Sequence, residues 1–275
     1  MRLVEGFAAL LTSRTAGLAA GPVPDPYLDY VRGEWGLFLR DPDRAHRTQR
    51  AAAVDRVERV LDIGCGAGQE MLPFLRGGAT CVGVDVAPQV GSGSIRSLYA
   101  AEEIDRTPFF VRAAAEHLPF ADQSFDIVIC RLVLPYTRNA RALAEMARVL
   151  RADGRLLLTV HRPGFYARKF WKGIRTGQLL SSIHAARVLS AGLAYDVTGR
   201  QPSGGLPGFE VYQSRVRLLK QLDRLGLVAG PAVPAYDSHY APMFVVRRKD
   251  AASGTGSDVH GPQEATKAGG VPGEQ

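Results

Sequence analysis

Cysteine is scarce in this 275-residue sequence, which has only three, and no two of them form a C-x-x-C pair. An odd, widely spaced set excludes a disulfide-stapled scaffold. Because Cys65, Cys81 and Cys130 all fall in apolar stretches, we expect them to be small buried side chains in a reducing, cytoplasmic protein. The six histidines are also scattered, so no closely spaced set of ligands indicates a metal site.

Long apolar runs are missing as well. No uncharged apolar run reaches the roughly 18 residues that a membrane-spanning helix needs. Glu5 interrupts the apolar character of the stretch Met1 to Ala20, which favours a docking helix over a secretory signal. With 46% hydrophobic residues, 22% charged residues and a net charge of +7, the composition is that of an ordinary globular protein.

The middle of the chain, residues 54–160, alternates short β-like runs with helical patterns. This alternation predicts parallel βαβ units joined by crossover helices. We expect strands at Arg59–Ile63, Thr80–Val84, Phe109–Ala113, Phe125–Cys130 and Arg155–Val160.

Other patterns predict the elements around these strands. Residues 1–53 form a helical extension, in which Tyr27, Tyr30, Trp35 and Phe38 suit one helix face. A helix is expected over Asn139–Leu150, followed by a turn at Asp153-Gly154. The helical pattern in the stretch Ser214 to Leu227 predicts a second helix, which ends at Gly226. Val228–Tyr236 and Tyr240–Arg247 then form a terminal antiparallel pair, and 251–275 is a disordered tail.

Positive charge is concentrated in residues 161–225. This segment has eleven basic and three acidic residues, a net charge of +8. An acidic small molecule, an RNA and plain solvation of a helix face are all compatible with it. Aromatic residues between the bases, such as Phe165 and Trp171, would also suit a membrane surface and a lipid-like acceptor. The absence of a denser basic patch or arginine-rich tail disfavours nucleic acid.

A glycine-rich turn carries the main chemical signal. The apolar strand ending at Ile63 leads into Gly64-Cys65-Gly66-Ala67-Gly68, which lets a ligand approach the backbone closely. The next strand ends in Asp85, 17 positions after Gly68, where a carboxylate can accept both hydroxyls of a ribose.

Two nucleoside ligands could use such a turn. A nicotinamide dinucleotide prefers a third glycine at position 69, which is Gln69 here. S-adenosylmethionine has no phosphate, and its sulfonium cation and amino-acid end suit a strand-end carboxylate such as Asp62.

These residues, with Leu118-Pro119-Phe120 and Ser124-Phe125-Asp126, resemble the class I S-adenosylmethionine-dependent methyltransferases of small molecules. The resemblance covers about residues 54–160. It implies an α/β, Rossmann-like, doubly wound fold: a mostly parallel seven-stranded sheet with a terminal antiparallel strand pair, in a domain of residues 54–250. The resemblance does not reach residues 161–213, which we expect to form a helical lid insert for the substrate, because such folds place specificity on connections beyond the strand ends.

The activity implied is in-line methyl transfer from S-adenosyl-L-methionine to a small-molecule acceptor, most simply O-methylation in secondary or sugar metabolism. Two alternatives remain. One is an RNA or protein methyltransferase that uses the basic insert, and the second is a non-catalytic S-adenosylmethionine-binding module. The tetrapeptide Cys130-Arg131-Leu132-Val133 replaces the N-P-P-Y type of sequence, which disfavours methylation of adenine or glutamine amino groups.

The resemblance also implies the cofactor contacts, from the methionine end through the ribose to the adenine and the reacting methyl. In that order they are Asp62, Gly64, Cys65, Gly66 and Gly68; Asp85; Val86, Ala115 and Glu116; and the backbone of Arg131 and Leu132. The family often has Asp where this chain has Ala114, so Glu116 is the candidate substitute for that hydrogen bond.

A base is optional in this chemistry, because the sulfonium is already a good leaving group. His161, directly after the fifth predicted strand, is our candidate general base, since a histidine that titrates near neutrality can take a proton from an alcohol. Tyr136 and His239 are further candidates. Asp126 is expected to be structural.

Overall fold

One seven-stranded sheet has the order β3-β2-β1-β4-β5-β7-β6. The computed structural model describes residues 25–54, 56–102, 104, 106–202, 210–233 and 241–249, and all structural statements concern these residues. The strands are β1 Arg59–Ile63, β2 Thr80–Asp85, β3 Phe109–Arg112, β4 Phe125–Arg131, β5 Leu150–Thr159, β6 Leu227–Ala232 and β7 Met243–Arg248.

The predicted fold class is confirmed. The first five strands are parallel, and β7 runs antiparallel to both β5 and β6. The described helices are α1 Pro26–Arg40, α2 Pro42–Ala52, α3 Leu72–Arg76, α4 Gly93–Ala101, α5 Asn139–Val149, α6 Pro163–Arg175, α7 Leu179–Thr198 and α8 Arg215–Arg224, with short 3-10 turns at Gln69–Met71 and Leu134–Tyr136.

The position of β1 creates the functional crevice. The strand order turns around at β1, which pairs with β2 on one side and β4 on the other. Helices on both faces bury β1 from Val60 onward, which explains its apolar sequence. Connections after β1 and β4 leave in opposite directions, so a cleft opens at their carboxyl ends.

Four strands were predicted to within one residue at each end, and β5 was not. It begins at Leu150, so Asp153 and Gly154 lie inside the strand and the predicted turn there is wrong. The pairing of β4 with β5 is irregular at this point. A Cβ on Gly154 would be 2.9 Å from the Asp126 carbonyl oxygen, so this glycine permits a close approach of two strands.

The other predicted elements are present with modest changes at their ends. Ser214 is the N-cap of α8 and accepts a hydrogen bond from the Arg217 N–H at 3.2 Å. The terminal strand pair is confirmed, although its connection, 234–240, lies outside the described residues. Residues 1–24 and 250–275 also lie outside the described residues. The expected docking helix, His239 and the tail all fall in these three undescribed ranges.

Two long helices, α6 and α7, form a hairpin in the predicted insert. They are close because Gly173 of α6 faces Ser182 of α7, where an added Cβ would be 2.2 Å from Ser182 Oγ. That hydroxyl donates to the Phe170 carbonyl at 2.9 Å. Farther along α7, the ring of Tyr212 packs directly on Gly192. Small residues thus fix the hairpin to itself and to the segment that follows it.

We expect Gly173→Ala to lower the free energy of unfolding by about 1–3 kcal/mol, because the methyl group would overlap both Ser182 Oγ and the Gln178 carbonyl oxygen. Gly33→Ala on α1 is the matched control, with no atom within 4 Å of its Cβ. It should raise stability by about 0.5–1 kcal/mol through helix propensity. Chemical denaturation measures both, and effects of the same sign would contradict this packing.

Candidate active site

The glycine turn after β1 is tied to the end of β2. The N–H groups of Gly64 and Cys65 both donate to the Val84 carbonyl, at 2.7 and 3.1 Å. The Gly66 N–H donates to Asp85 Oδ2 at 3.1 Å, and the Ala87 N–H donates to Oδ1 at 3.0 Å. Asp85 is therefore held against the turn by these two bonds.

Two of the glycines are required by their surroundings. Gly64 has φ +67°, and a Cβ there would be 2.2 Å from the Val133 side chain. Gly68 has φ +81°, and its Cβ would meet Met71 and the Tyr99 hydroxyl at 2.6 and 2.7 Å. The Tyr99 hydroxyl in turn donates to the Ala67 carbonyl at 2.7 Å. Gly68 thus lets the turn pack on the protein interior.

A cleft of about 420 Å³ lies above the turn, within the size range of small-molecule sites. All of the predicted site residues except Gly68 line it: Asp62, Gly64, Cys65, Gly66, Asp85, Val86, Ala115, Glu116, Arg131, Leu132 and His161. Gly68 lies just behind this wall. The topology therefore brings together residues that are up to about 100 positions apart in the chain.

Carboxylates dominate the half of the cleft near β1. Burial raises the pKa of Asp62, the negative charges of Glu70 and Asp85 raise it further, and Arg131 opposes them. Arg131 lies 3.4 Å from Glu70 and 3.5 Å from Glu34 of α1. One guanidinium thus faces several acids, and a cationic ligand would relieve their repulsion.

These residues fit S-adenosylmethionine. Its sulfonium and ammonium groups match the acid-rich half, whereas a pyrophosphate would be repelled there. The exposed Val86 side chain offers an apolar surface to a purine. The buried Gln69 Oε1, on a residue that lines the cleft, has no hydrogen-bond partner within the described ranges, so it can accept from a ligand.

Glu116, the expected substitute for the family's aspartate, is partly engaged by the protein. Its Oε1 accepts a hydrogen bond from the Arg138 N–H at 2.7 Å. Asp126 has the structural role we expected. It accepts from the N–H groups of Glu58 and Arg59, both at 2.8 Å, and pairs with Arg151 at 2.8 Å.

His161 lies at the other half of the cleft, with Tyr136 on the same lining. Its ring stacks on Phe165, with centroids 3.8 Å apart. Burial lowers the pKa of His161 to about 4, although the charge of Glu210 opposes this. The imidazole is therefore neutral at pH 7, and its titration lies well below the near-neutral range we expected. Nδ1 is buried without a hydrogen-bond partner in the described part of the chain.

Glu210 is a buried lining residue that the sequence analysis did not select. It accepts hydrogen bonds from the Tyr166 hydroxyl and, at 2.9 Å, from His184 Nε2. Burial alone would raise the pKa of Glu210, but the bonds from His184 and Tyr166 outweigh it, so the pKa is lowered. The neighbouring Val211 N–H donates to the Pro135 carbonyl at 2.8 Å. Glu210 thus joins both hairpin helices to the cleft.

The sequence contained a weak signal for this residue. Glu210 is one of only three acids in the basic segment, and the apolar Val211-Tyr212 follows it. A lone acid in such a setting is a candidate for a buried, paired position. Lys169 and Tyr30 also line the cleft. The sequence analysis counted Lys169 only among the eleven basic residues of 161–225 and placed Tyr30 only on a helix face.

The glycine turn is hydrogen-bonded to a strand-end aspartate at the switch point of a β3-β2-β1-β4-β5-β7-β6 sheet, and it faces an acid-rich cleft. This arrangement is that of the class I S-adenosylmethionine-dependent methyltransferase domain. Residues 61–158 match the family described as "Methyltransferase domain". The chain carries a domain of this class, whose cofactor is S-adenosylmethionine.

Known proteins similar to this chain match it over part of their length. The uncharacterized methyltransferase YcgJ of Bacillus subtilis is 42% identical over 104 residues, 38% of this chain and 40% of its own length. Phthiotriol/phenolphthiotriol dimycocerosates methyltransferase 1 of Mycobacterium ulcerans is 35% identical over 130 residues, 45% and 46% of the two chains. The matches thus span less than half of either relative.

A solved structure shows the same fold at larger coverage. The methyltransferase in the Haloferax volcanii complex with the Trm112 activator is 17% identical, with a TM-score of 0.50 over 82% of this chain and 98% of that one.

In the parts of this chain that the structure describes, no cluster of three or more potential ligands could hold a metal ion. No described helix is long and apolar enough to cross a membrane.

The Glu210 contacts predict a pH-dependent contribution to stability. Because its pKa is lowered in the folded state, its contribution is present above its ordinary pKa of 4.5 and is lost as the pH falls through the folded value. Glu210→Gln should cost about 1–3 kcal/mol near pH 7, and this difference from wild type should shrink below about pH 4.5.

Denaturation of wild type and variant across pH measures the effect. Glu116→Gln is the matched control, because that carboxylate is less buried and accepts one backbone bond. It should have a smaller effect. A Glu210→Gln difference that does not change with pH would show that this carboxylate is not ionised in the folded protein.

Proposed function

We propose that this protein transfers a methyl group from S-adenosylmethionine to a hydroxyl of a small molecule, as in the O-methylation of secondary or sugar metabolism. The observation that carries the proposal is a single cleft with two chemically different halves. One half is the acid-rich turn beside Asp85, and the other is lined by His161, Phe165, Lys169 and Glu210.

The buried, free cysteines favour a reducing, cytoplasmic location.

The first half would hold the cofactor. Asp62 and the turn Gly64-Cys65-Gly66, shaped by Gly68, would surround the methionine end, and Asp85 would accept the ribose hydroxyls. Val86, Ala115 and Glu116 would contact the adenine, with Arg131 and Leu132 near the methyl group. Leu132 has φ +61°, a costly conformation for leucine, and its N–H donates to the Thr159 carbonyl at 2.9 Å. Strain of this kind is concentrated at functional sites.

The cofactor, when bound, supplies an electrophilic methyl group on a good leaving group. The protein's part is then alignment, exclusion of water and, for an alcohol, removal of one proton. His161 is our candidate for that removal, because its ring is neutral at pH 7, so a nitrogen can accept a proton, and its position is fixed by Phe165. Its pKa of about 4 makes it a weaker base than an ordinary histidine. The ionised Glu210 beside it would stabilise the imidazolium that forms.

The second half favours a small acceptor. It lies between the 3-10 turn at Leu134–Tyr136 and the hairpin. The hairpin is part of the insert 161–213, which would act as the lid of this site. Glu210 anchors both hairpin helices here, so the walls are fixed side chains. A buried recess with aromatic walls suits a single molecule better than a polymer.

Cofactor binding should depend on Asp85. We expect Asp85→Asn to bind S-adenosylmethionine about 10- to 100-fold more weakly in calorimetry, since charge-assisted hydrogen bonds to the ribose contribute about 1.5–3 kcal/mol. Asp126→Asn is the matched control. It should lower stability, because Asp126 accepts bonds from Glu58 and Arg59, and leave cofactor affinity unchanged.

NAD should not bind measurably to the wild type, because its pyrophosphate would face the acidic half of the cleft. If the wild type fails to bind S-adenosylmethionine, or Asp85→Asn binds it as tightly as the wild type, the assignment of this half is wrong. Binding without production of S-adenosylhomocysteine, across hydroxylated aromatic and sugar acceptors, would favour the non-catalytic module.

The proposed base should determine turnover without affecting cofactor binding. With an acceptor from that panel, His161→Gln should lower kcat about 10²- to 10⁴-fold, with the dissociation constant of S-adenosylmethionine unchanged. A neutral ring is required, so the wild-type rate should be flat from pH 5 to 8 and fall only as the pH approaches about 4. Tyr136→Phe tests the other candidate base on this lining, and it should keep most of the wild-type kcat. Full turnover in His161→Gln would remove His161 from this role.

A further inference from the structure

The α6–α7 hairpin ends in a surface that is unusually apolar for an exposed position. We define the hairpin tip as residues 168–187. Five large apolar side chains are exposed there: Trp171 at 62%, Ile174 at 46%, Leu179 at 62%, Leu180 at 83% and Ile183 at 64%. Isolated apolar residues are common on protein surfaces, but five at one end of one hairpin mark an interaction site.

The charges of the hairpin tip all have one sign. Its charged residues are basic, and residues 163–195 contain no aspartate or glutamate. The five bases are Arg168, Lys169, Lys172, Arg175 and Arg187. Lys169 faces the cleft, whereas Lys172 and Arg175 are exposed beside Trp171 and Ile174. Exposed apolar side chains with cations beside them are typical of surfaces that insert at a lipid interface.

We propose that the hairpin tip docks onto the surface of a bilayer that carries anionic lipids. The aliphatic side chains and Trp171 would enter the headgroup region, and exposed cations such as Lys172 and Arg175 would pair with lipid phosphates. Charge complementarity favours this occupant over a second copy of the chain. A symmetric dimer through this surface would bring the positive charges of two copies together. RNA would leave Leu179, Leu180 and Ile183 without apolar contacts.

The hairpin is built as a rigid support for such a surface. Gly173 and Ser182 bring the two helices into direct contact, and Ser182 Oγ bonds the Phe170 carbonyl. The same two helices contribute to the cleft from their other side, where Phe165 and Lys169 of α6 line it and His184 of α7 holds Glu210. Docking would therefore place the acceptor half of the cleft near the membrane surface.

Vesicle binding tests the proposal with the full chain and without any methyl transfer. The wild type should co-sediment with vesicles of phosphatidylcholine and phosphatidylglycerol, and much less with phosphatidylcholine alone. Its tryptophan emission should shift to the blue, because Trp171 is exposed while Trp35, the only other tryptophan, is buried. The double variant Leu180→Asp/Ile183→Asp should lose at least tenfold in vesicle affinity.

Matched variants separate the contributions. Val197→Asp places the same charge on an exposed apolar site at the far end of α7, and it should bind vesicles like the wild type. Lys172→Ala should weaken binding about fivefold, and added salt should weaken wild-type binding. All of the changed side chains are exposed, so thermal unfolding should stay within a degree or two of the wild type and rule out misfolding.

Three outcomes would overturn the proposal. The first is absence of wild-type binding to anionic vesicles, and the second is unchanged binding by Leu180→Asp/Ile183→Asp. The third is a wild-type dimer in light scattering that this variant converts to a monomer without any vesicle binding, which would make the tip an interface between copies. Because the readouts are sedimentation and fluorescence, failure here leaves the proposed methyl transfer untouched.

Discussion

The hydrogen bonds between the glycine turn and the end of β2 are the constraint on which the site depends. Val84 receives two backbone N–H groups through one carbonyl, and Asp85 receives the Gly66 N–H. These bonds fix the turn in positive-φ conformations and hold the Asp85 carboxylate beside it. Tyr99 and Trp35 support the turn from behind, with their rings 4.8 Å apart. Bonds and packing within the protein itself therefore shape this wall of the cleft.

Electrostatics divides the cleft into two environments. Near β1, acids outnumber the single guanidinium of Arg131, and the pKa of Asp62 is raised by burial and by its acidic neighbours. Near the hairpin, Glu210 is kept ionised by His184 and Tyr166, while burial keeps His161 neutral. A cation suits the first environment, and the second would take the uncharged hydroxyl of the proposed acceptor. In that proposal, the two groups that methyl transfer must bring together lie in adjacent halves.

The sequence predicted those features that local patterns encode. The apolar strands, the glycine turn and the spacing to Asp85 all depend on neighbouring residues, and the structure places them as expected. The sequence did not predict the long β5. Gly154 looks like a turn residue unless the close approach of the Asp126 carbonyl oxygen is known. Glu210 and the low pKa of His161 were missed for a similar reason. Glu210 depends on Tyr166 and His184, which are 44 and 26 positions away in the chain, and the low pKa of His161 depends on its burial in the folded cleft.

The division of labour between segments has an evolutionary consequence. The proposed cofactor contacts come from residues 62–132, whereas most of the acceptor half comes from residues 161–210. The family match ends at residue 158, just before the hairpin begins. Selection can therefore rebuild the second segment, and with it the molecule that is recognised, while the first remains unchanged. A fold arranged in this way can acquire new substrates by exchanging one contiguous stretch of its gene.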